Sequence, residues 1–427
     1  MRQTFTTIVG KAVRALAQAR GGGSALPGLF VETIDPDFIR RTLTDLSQGI
    51  VLVSGTNGKT TTTKMVVELL EGQGMRVFTN RTGSNFTRGV AAALLGAVDT
   101  KGKLEADIAV LELDEAHAVH FVKTIRPSYC LLLNVMRDQL DRFGEIDATA
   151  QLLKTVAEHT TRGVIINRDD PRLSSQDFLK TITAPVACYG VAPSLRSLFP
   201  SDDAMRSPEA TVSQEPASKY DTTTLESVKD RHVSVRFAGK NHAASLKLKG
   251  IYNMQNVVGA VALVRMIVGE ALDTKRLLAS LASVEPAFGR GETVTVHNQP
   301  CELVLVKNPS GFRLSLKSFP PEDYATMIAI NDNYADGKDM SWLWDVDFDS
   351  LRPGGVSMVS GMRAYDMALR LQYDEVDISK VEPDLAEALH SFIETNDAIP
   401  KRIYCTYTAM LALRRELSRY AAVEVVR

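Results

Sequence analysis

A short glycine-rich segment carries the residue types that hold nucleotide phosphates. It follows an apolar run and reads Ser54-Gly-Thr-Asn-Gly-Lys-Thr-Thr61. The common phosphate loop has four residues between its first glycine and the Gly-Lys-Ser/Thr sequence, whereas here only two separate the glycines. Backbone N–H groups of such a loop, together with the start of the next helix, can hold phosphate oxygens. We therefore predict a nucleotide site formed by Gly55, Thr56, Asn57, Gly58, Lys59, Thr60 and Thr61.

Two oxygen-bearing side chains near this loop suit a magnesium ion. The Thr60 hydroxyl can bind Mg²⁺, and the Glu112 carboxylate, which follows a second apolar run, can bind the same ion. Lys59 and Mg²⁺ would together neutralise the charge that develops during phosphoryl transfer, so Glu112 is also a candidate catalytic residue. The alternative for Glu112 taken alone is a capping or solvated carboxylate.

Polar residues follow each of four short apolar runs. The runs are Ile50–Val53, Ile108–Leu113, Tyr129–Leu133 and Val164–Ile166. Helical periodicity lies between them, as in Lys64–Leu70, which predicts a parallel sheet covered by helices on both faces. Ligands bind beyond the carboxyl ends of such strands. We expect the following residues at this edge: Glu112, Asp114, Glu115, Asn134, Arg137, Asp138, Asp169 and Asp170. For Asp169 and Asp170 a helix-capping role is an equally good interpretation.

Bulk properties favour a globular cytoplasmic protein. The 427 residues suffice for roughly two or three domains. The net charge of −2 gives no basic footprint for nucleic acid. No apolar run approaches the ~20 residues of a membrane span, and we expect no transmembrane segment. Four widely spaced cysteines without a C-x-x-C pair argue against a disulfide framework and a zinc ribbon, and favour buried thiols: Cys130, Cys188, Cys301 and Cys405.

Composition divides the chain into three segments. An N-terminal helix and lead-in occupy residues 1–48, an ATP-binding domain 49–296, and a further strand–helix series 297–427. Within the second, residues 190–230 are rich in Ser, Pro, Asp, Glu and Thr, which predicts a flexible insertion. The N-terminal helix carries Lys11 and Arg14 beside apolar residues, so it either touches a membrane surface or, more commonly, packs on the domain.

Further strands and one long helix are expected beyond this insertion. The apolar pattern between the insertion and residue 296 predicts two strands and a helix, His232–Phe237, Ala244–Leu248 and Met254–Val268. The C-terminal segment is predicted to hold the strands Leu303–Val306, Met327–Ile330, Val356–Val359 and Ile403–Thr406.

The phosphate loop and three other motifs resemble those of the Mur ligase superfamily. Asn134 with Asp138 is similar to its motif Asn-x-x-x-Asp-His, with Gln139 where histidine is usual. Asn253-Met-Gln-Asn256 is similar to its Asn-x-x-Asn helix, which lies against the nucleotide base, and Gly289-Arg-Gly-Glu292 to its Gly-Arg-x-Glu element. The resemblance implies nucleotide-binding roles for Asn134, Asp138, Asn253, Asn256 and Arg290. It also implies an α/β fold in which a central P-loop ATPase domain with a parallel sheet precedes a smaller Rossmann-like C-terminal domain.

Within the superfamily the chain resembles the MurT family, the Mur-ligase-like subunits of lipid II isoglutaminyl synthases. The specific residues are the Gln139 variant and a C-terminal run that includes Lys307-Asn-Pro-Ser-Gly311 and Asn331-Asp-Asn-Tyr-Ala-Asp-Gly337, followed by Trp342-Leu-Trp-Asp345. Many MurT proteins carry a four-cysteine zinc ribbon in the central domain. Residues 190–230 hold no cysteine here, so no zinc site is expected.

This resemblance implies a reaction and a partner. ATP and Mg²⁺ would serve the amidation of the α-carboxyl of D-glutamate in the lipid II stem peptide, through an acyl phosphate, at the inner face of the cell membrane. Ammonia would come from a glutaminase subunit, GatD, in a heterodimer. Asp345, with Asp347 second, is the best match for an aspartate that completes the partner's catalytic site, and a local capping or pairing role is the alternative for Asp345. Candidates for holding substrate or the γ-phosphate, each with a surface salt bridge as alternative, are Arg81, Arg137, Arg142 and Arg290.

Two other functions fit part of the pattern. A stand-alone amino-acid ligase of the Mur or folylpolyglutamate-synthase type would turn over ATP with an added amino acid and without a glutaminase. A nucleotide-binding scaffold would bind ATP without substrate-dependent turnover. The Gln139 variant and the C-terminal run weigh against the ligase, and the acidic Mg²⁺ set weighs against the scaffold.

Overall fold

The structure of the protein is a computed structural model. It describes residues 2–19, 25–80, 86–138, 146–206, 220–248, 250–285, 290–319, 321–395 and 398–421. The chain forms two compact units. The first comprises Met1–Met136, Asp147–Leu248 and Asn253–Glu285, and the second comprises Arg137–Ile146, Lys249–Tyr252 and Pro286–Arg427. Each unit has its own sheet flanked by helices, so the predicted α/β fold class is confirmed.

A nine-stranded sheet forms the centre of the first unit. Its strands are β1 Gly49–Ser54, β2 Val77–Thr79, β3 Ile108–Glu112, β4 Tyr129–Leu132, β5 Gly163–Asn167, β6 Val186–Val191, β7 Thr222–Lys229, β8 His232–Phe237 and β9 Lys240–Ser245. They lie in the order β2-β3-β1-β4-β5-β6-β7-β8-β9. The pairs from β2 to β7 are parallel, and β8 and β9 extend the sheet in antiparallel fashion. Strands β3, β4 and β5 are buried throughout, which explains their continuous apolar sequences.

Helices cover this sheet. They are α1 Arg2–Ala19, α2 Ala25–Ile34, α3 Phe38–Thr44, α4 Lys59–Gly72, α5 Thr87–Ala97, α6 Glu115–Thr124, α7 Ile146–Glu158, α8 Gln176–Leu179, α9 Asp202–Arg206, α10 Ile251–Val268 and α11 Thr274–Ser283. The segment Ile251–Ala271 is long and apolar enough to cross a membrane by composition, which the sequence pattern did not indicate. Because 67% of its apolar 18-residue window is buried in the structure, it has the character of a core helix.

The prediction of a flexible insertion over residues 190–230 is wrong for much of that segment. Strand β6 continues to Val191, a 3₁₀ helix spans Pro193–Leu198, and β7 pairs in parallel with β6 and antiparallel with β8. The first half of β7 alternates between half-buried and buried residues, and its second half alternates between half-buried and exposed residues. A strand that buries only Thr223 and Leu225 needs few large apolar residues, so its sequence resembles that of a loop. The strand predicted at Ala244–Leu248 is also displaced, since β9 ends at Ser245.

The second unit is built on a six-stranded sheet. Its strands are β10 Arg290–Val296, β11 Gln299–Leu305, β12 Ala325–Ala329, β13 Met358–Ser360, β14 Val381–Glu382 and β15 Lys401–Cys405, in the order β10-β11-β15-β12-β13-β14. All pairs except β10–β11 are parallel. The helices are α12 Pro309–Ser318, α13 Ala364–Tyr373, α14 Leu385–Glu394 and α15 Tyr407–Leu417, with 3₁₀ turns at Ser341–Asp345 and Asp349–Leu351. Apolar clusters pack on both faces, one around Phe312 and Phe348 and the other around Phe392 and Met410.

A buried ion pair crosses the centre of this second sheet. Glu302 on β11 and Arg402 on β15 are register partners, and two guanidinium nitrogens donate to Glu302 Oε2 at 3.0 and 2.7 Å. Both side chains are buried, and the guanidinium carbon lies 3.7 Å from the Tyr324 ring centroid. Two desolvated charges in one core are stable only while each retains the other.

We expect Glu302→Ala to lower the free energy of unfolding of the second unit by about 3–5 kcal/mol, because the buried charge of Arg402 then lacks the carboxylate that neutralises it in the sheet. Urea unfolding followed by tryptophan fluorescence measures this unit, since Trp342 and Trp344 are the two tryptophans of the chain. The double variant Glu302→Leu/Arg402→Met should recover much of the loss. The control is Glu394→Ala, which removes an exposed carboxylate. If Glu302→Ala lowers the free energy of unfolding no more than this control does, the expectation is contradicted.

Candidate active site

The phosphate loop connects the central strand β1 to helix α4. Two of its residues adopt left-handed backbone conformations, Gly55 with φ +133° and Gly58 with φ +90°. A Cβ atom at Gly58 would lie 2.8 Å from the side-chain nitrogen of Asn256 on α10. Glycine is therefore required at this position by both conformation and space. The same contact places Asn256, a predicted nucleotide ligand, against the loop.

The two predicted magnesium ligands lie side by side. The Thr60 hydroxyl, in the first turn of α4, donates to Glu112 Oε1 at 2.7 Å, and Glu112 is the last residue of β3. Asn80, which follows β2, accepts from the Glu112 amide at 3.0 Å and donates to its carbonyl at 2.9 Å. A hydroxyl beside a carboxylate is a hard oxygen donor set of the kind Mg²⁺ takes. Asn80 was not among the predicted site residues, although a polar residue directly after a short strand at this edge was a usable signal.

Lys59 is folded back onto its own loop. Its ammonium donates to the Gly55 carbonyl at 2.6 Å and lies 3.3 Å from Glu115 Oε2 in the first turn of α6. Both side chains are buried, so each charge compensates the other. The sequence predicted Lys59 for the outer phosphates and placed Glu115 at the same edge without a role. In the structure Glu115 is the acidic partner of the lysine.

Asn134 holds the backbone of the loop. Its side-chain oxygen accepts from the Asn57 amide at 2.9 Å, and its side-chain nitrogen donates to the Asn57 carbonyl at 3.0 Å. Thr56 adds a backbone hydrogen bond to the Asn134 carbonyl at 3.1 Å, and its hydroxyl lies within hydrogen-bond distance of the Met136 backbone. Asn134 therefore positions the loop from the end of the neighbouring strand β4.

Asp170 fixes the segment that carries Asn134. Its carboxylate accepts three backbone N–H groups, from Val135 at 2.6 Å, Arg172 at 3.0 Å and Leu173 at 3.1 Å. The structure thus favours the capping interpretation of Asp170. Burial raises the pKa of this carboxyl to about 6, while the three N–H donors act in the opposite direction.

Two further predicted nucleotide ligands lie deep in the first unit, whereas Asp138 and Arg137, the latter a candidate for holding substrate or the γ-phosphate, belong to the second. Asn253 is buried on α10, and Thr61 is buried in α4, where its hydroxyl has no partner among the described residues. Asp138 forms an ion pair with Lys307 at 3.3 Å, and the Arg137 carbonyl accepts from the Ser310 hydroxyl at 3.5 Å. The remaining predicted residues, Arg81, Gln139, Arg142 and the side chain of Arg290, lie outside the described part of the chain.

The aspartates predicted to serve a partner lie on the surface of the second unit. Asp345 ends the 3₁₀ turn Ser341–Asp345 and is exposed. Asp347 is also exposed, and its carboxylate accepts the Asp349 amide at 2.9 Å. The local hydrogen bond of Asp347 is typical of an aspartate that stabilises its own turn.

A buried arginine fixes this surface segment. The Arg370 guanidinium donates to the carbonyls of Leu343 at 3.3 Å and Val346 at 2.5 Å, and it pairs with Asp374 at 2.6 Å. It also lies 5.4 Å from the ring centroid of Trp344, whose indole is half-exposed. Arg370 on α13 thereby holds both flanks of Asp345, a role that no sequence pattern indicated.

All four cysteines are buried, as predicted. Burial raises the pKa of Cys130 to about 12, of Cys188 to about 11 and of Cys301 to about 12, and that of Cys405 further still. The thiolate is the nucleophilic form of cysteine. None of the four is therefore suited to nucleophilic catalysis at neutral pH.

The pKa of Asp170 predicts a specific pH dependence. From the unfolded pKa of about 4 to the folded value of about 6, the folded chain binds more protons, so stability falls as pH rises. Relative to Asp170→Asn, the wild-type free energy of unfolding should fall by about 1 kcal/mol between about pH 5 and pH 7. Urea denaturation of both proteins by circular dichroism measures the difference. A constant difference, or a rise towards pH 7, would show that the N–H donors dominate this carboxyl.

Two protein-family models match the chain. The Mur ligase middle domain matches residues 53–264, and the MurT ligase C-terminal domain matches residues 305–410. The first match contains the phosphate loop, Glu112, Asn134 and Asn256. The second contains the turn that carries Asp345.

Known proteins are similar along nearly the whole chain. The lipid II isoglutaminyl synthase (glutamine-hydrolyzing) subunit MurT of Streptococcus pneumoniae is 29% identical, over 98% of this chain and 97% of the relative. The protein of the same description from Staphylococcus aureus strain COL is 27% identical over 98% of each. The MurF ligase from Thermotoga maritima in complex with ADP covers 92% of this chain and 85% of its own, with a TM-score of 0.66 at 16% identity, which shows a shared fold. Relatives and family models together show that the chain is a ligase and belongs to the MurT family of the Mur ligase superfamily.

Proposed function

We propose that this chain is the synthetase subunit of an ATP-dependent amidotransferase that converts D-glutamate of the lipid II stem peptide to D-isoglutamine. The observation that carries the proposal is the Thr60–Glu112 contact of 2.7 Å at the start of α4, beside the buried Lys59. The names of the full-length relatives supply the substrate class. The ADP complex of the related MurF ligase supports ATP as the phosphoryl donor.

The reaction needs ATP because a carboxylate does not react with ammonia at neutral pH. A carboxylate oxygen of D-glutamate attacks the γ-phosphorus of ATP, the bond to the β-phosphate oxygen breaks, and an acyl phosphate and ADP form. The lone pair of ammonia then attacks the carbonyl carbon. The carbon–oxygen bond to phosphate breaks, the nitrogen loses a proton, and amide and inorganic phosphate result.

The residues of the first unit have distinct tasks in this proposal. Backbone N–H groups of the loop hold phosphate oxygens, and Asn134 and Asn256 keep the loop in shape. Lys59 exchanges the Gly55 carbonyl for a phosphate oxygen and balances its negative charge. Thr60 and Glu112 would hold Mg²⁺, which when bound neutralises charge on the β- and γ-phosphates.

Ammonia would come from a separate glutaminase subunit, GatD. The four cysteines of this chain are buried with raised pKa values, so they do not supply a glutaminase nucleophile. The relatives are named as subunits of glutamine-hydrolyzing enzymes, which supports a partner that carries this step. In the proposal Asp345 orients the base that serves the partner's cysteine, as a carboxylate does in catalytic triads.

The surface around Asp345 is suited to such a partner. Four side chains on or beside α13 are more exposed than is usual for their type, namely Met362 at 61%, Tyr365 at 71%, Leu369 at 49% and Tyr373 at 70%. Trp344 lies edge-on to Tyr373, with ring centroids 5.1 Å apart. Aromatic and methionine side chains are enriched in protein interfaces. Lipid II as substrate would place the complex at the inner face of the cell membrane.

Mass spectrometry of lipid II tests the synthetase site without the partner. With ATP, Mg²⁺ and ammonium salt, the chain should exchange a carboxyl hydroxyl of D-glutamate for an amino group. Lys59→Ala and Thr60→Val should each lower the rate at least about a hundredfold, because each removes a contact to transition-state charge. The control is Lys64→Ala, a half-exposed lysine on the same helix. Amide formation that needs an added amino acid, or variants as active as wild type, would contradict the proposal and favour a stand-alone ligase.

A comparison of two ammonia sources shows which of Asp345 and Asp347 serves the partner's glutaminase site. In the complex with the glutaminase, Asp345→Asn should reduce glutamine-dependent amidation at least about a hundredfold and leave ammonium-dependent amidation within twofold of wild type. Asp347→Asn is the matched variant, because it removes another exposed carboxylate two residues away. If only Asp347→Asn loses glutamine-dependent amidation, Asp347 has the proposed role. If both variants retain the wild-type rate, neither aspartate has it.

A further inference from the structure

The first turn of α4 contacts two carboxylates of one short segment. The Thr60 hydroxyl donates to Glu112 at 2.7 Å, and the Lys59 ammonium lies 3.3 Å from Glu115 Oε2. Glu112 ends β3, and Glu115 is the first residue of α6. The first contact would hold Mg²⁺, whereas Glu115 has no part in the reaction as proposed above. Two neighbouring residues of α4 therefore each face a carboxylate, and the role of the second carboxylate is open.

Glu115 is buried although it lies in the first turn of a helix. Its side chain is 1% exposed. Glutamate is almost never buried to this extent unless it is paired with an opposite charge. Among the described residues its carboxylate forms an ion pair with Lys59, which is itself buried. The burial of this carboxylate therefore depends on the lysine of the phosphate loop.

The acceptors around the Lys59 ammonium are all groups of the protein. It donates to the Gly55 carbonyl at 2.6 Å and to the Thr56 carbonyl at 3.4 Å, besides its contact with Glu115. An ammonium group has three N–H donors, so a phosphate oxygen that binds Lys59 takes the place of one of these acceptors. A neutral carbonyl is exchanged more easily than a buried carboxylate, whose loss would leave two charges uncompensated. Lys59 therefore keeps its contact with Glu115 when it turns to phosphate.

The carboxylate has opposite effects on the free chain and on nucleotide binding. In the free chain it neutralises an ammonium that has been removed from water, which stabilises the fold. Beside a phosphate it repels the negative oxygens and offsets the attraction of Lys59, and both effects are strong because the site is buried. The same ion pair thus stabilises the loop and weakens its hold on phosphate.

We propose that Glu115 is a positioning residue that, through Lys59, keeps the affinity of the phosphate loop for ATP and ADP below the value an uncompensated lysine would give. A site that retained ADP would be slow to begin a new cycle, and product release limits kcat in many enzymes. The inference rests on the proposed function in one respect, namely that the loop binds a nucleotide, and it does not depend on the acceptor substrate.

Calorimetric titration of the full chain with ADP tests this role without lipid II or a glutaminase. Glu115→Gln removes the charge and keeps the size of the side chain. It should bind ADP at least about fivefold more tightly than wild type, because phosphate then supplies the compensation that the buried ammonium lacks in the free variant. Glu115→Asp, which keeps the charge, should bind ADP within about threefold of wild type.

Two further glutamates provide matched controls for the loss of one negative charge. Glu112→Gln should weaken ADP binding in the presence of Mg²⁺ at least about fivefold, because Glu112 would hold the ion. Glu71→Gln changes an exposed residue near the other end of α4 and should bind ADP as wild type does. Repeating the titrations in EDTA should leave the gain of Glu115→Gln in place, since that gain does not pass through the metal.

Thermal unfolding and kinetics distinguish this role from a purely structural one. Free Glu115→Gln should melt at a lower temperature than wild type, because Lys59 is buried without a counter-charge. Saturating ADP should raise its melting temperature by about 2 °C or more beyond the rise seen for wild type. In ammonium-dependent amidation the KM for ATP should fall at least about fivefold while kcat does not rise. A purely structural role predicts only the lower melting temperature of the free variant.

Three outcomes would overturn the inference. They are unchanged or weaker ADP binding by Glu115→Gln, an equal gain in Glu71→Gln, and a gain that disappears in EDTA. The proposed function fails separately. Wild type that binds ADP but does not amidate lipid II would contradict that function, and tighter ADP binding by Glu115→Gln would still support the role of Glu115.

Discussion

A buried ammonium group is the constraint on which the first unit depends. Lys59 cannot be buried without compensation, because a charge removed from water requires a partner and hydrogen bonds. The Gly55 carbonyl and Glu115 provide both, and Glu115 begins α6 directly after β3. This requirement connects the loop, α4 and α6, and it sets the lysine beside the Thr60–Glu112 contact. The elements that hold a nucleotide in the proposal are therefore joined to one another by the protein's own contacts, and preorganisation of this kind reduces the entropy that binding must overcome.

Side-chain amides and carboxylates hold the backbone of the loop and its neighbours in place through hydrogen bonds, as the backbone ladder holds a strand. Asn134 binds both the N–H and the C=O of Asn57, and Asn80 does the same for Glu112. Asp170 in turn holds the residue after Asn134. Each of these side-chain hydrogen bonds joins the segment after one parallel strand to the neighbouring strand end, beyond the last backbone hydrogen bonds of the sheet. The edge of the sheet can therefore be irregular in backbone and still be fixed in position.

The second unit uses a buried cation for a different purpose. Arg370 is held inside the unit by Asp374 and two carbonyls, and it fixes a turn that is itself exposed. The effect is a rigid surface that displays Asp345 next to Trp344 and the aromatic side of α13. A rigid presentation of this type suits a residue that acts on a neighbouring protein, since positional error at a catalytic group is costly. The exposed helix faces of the two units differ in character, largely aromatic in the second and largely aliphatic in the first.

The sequence by itself determined the parts that depend on local spacing. The strands β1, β3, β4 and β5, the phosphate loop and the core helix α10 follow from apolar period and glycine placement within a few residues of chain. The polar residues at the strand ends were also foreseeable, because parallel strands carry their carboxyl ends to one edge. The resemblance to the MurT family rested on motifs of the same local kind.

Tertiary structure decided the rest, because it concerns residues far apart in the chain. That Glu115 pairs with Lys59, that Asp170 caps the Asn134 segment and that Arg370 holds the turn of Asp345 depends on which elements become neighbours. The sequence pattern did not predict the strand β7, because pairing with β6 and β8 stabilises it and its own apolar content is low. Nor did it predict that α1 exposes aliphatic side chains. The amphipathic pattern of a helix shows that it has two faces, whereas only packing on α5 decides which of them meets the solvent.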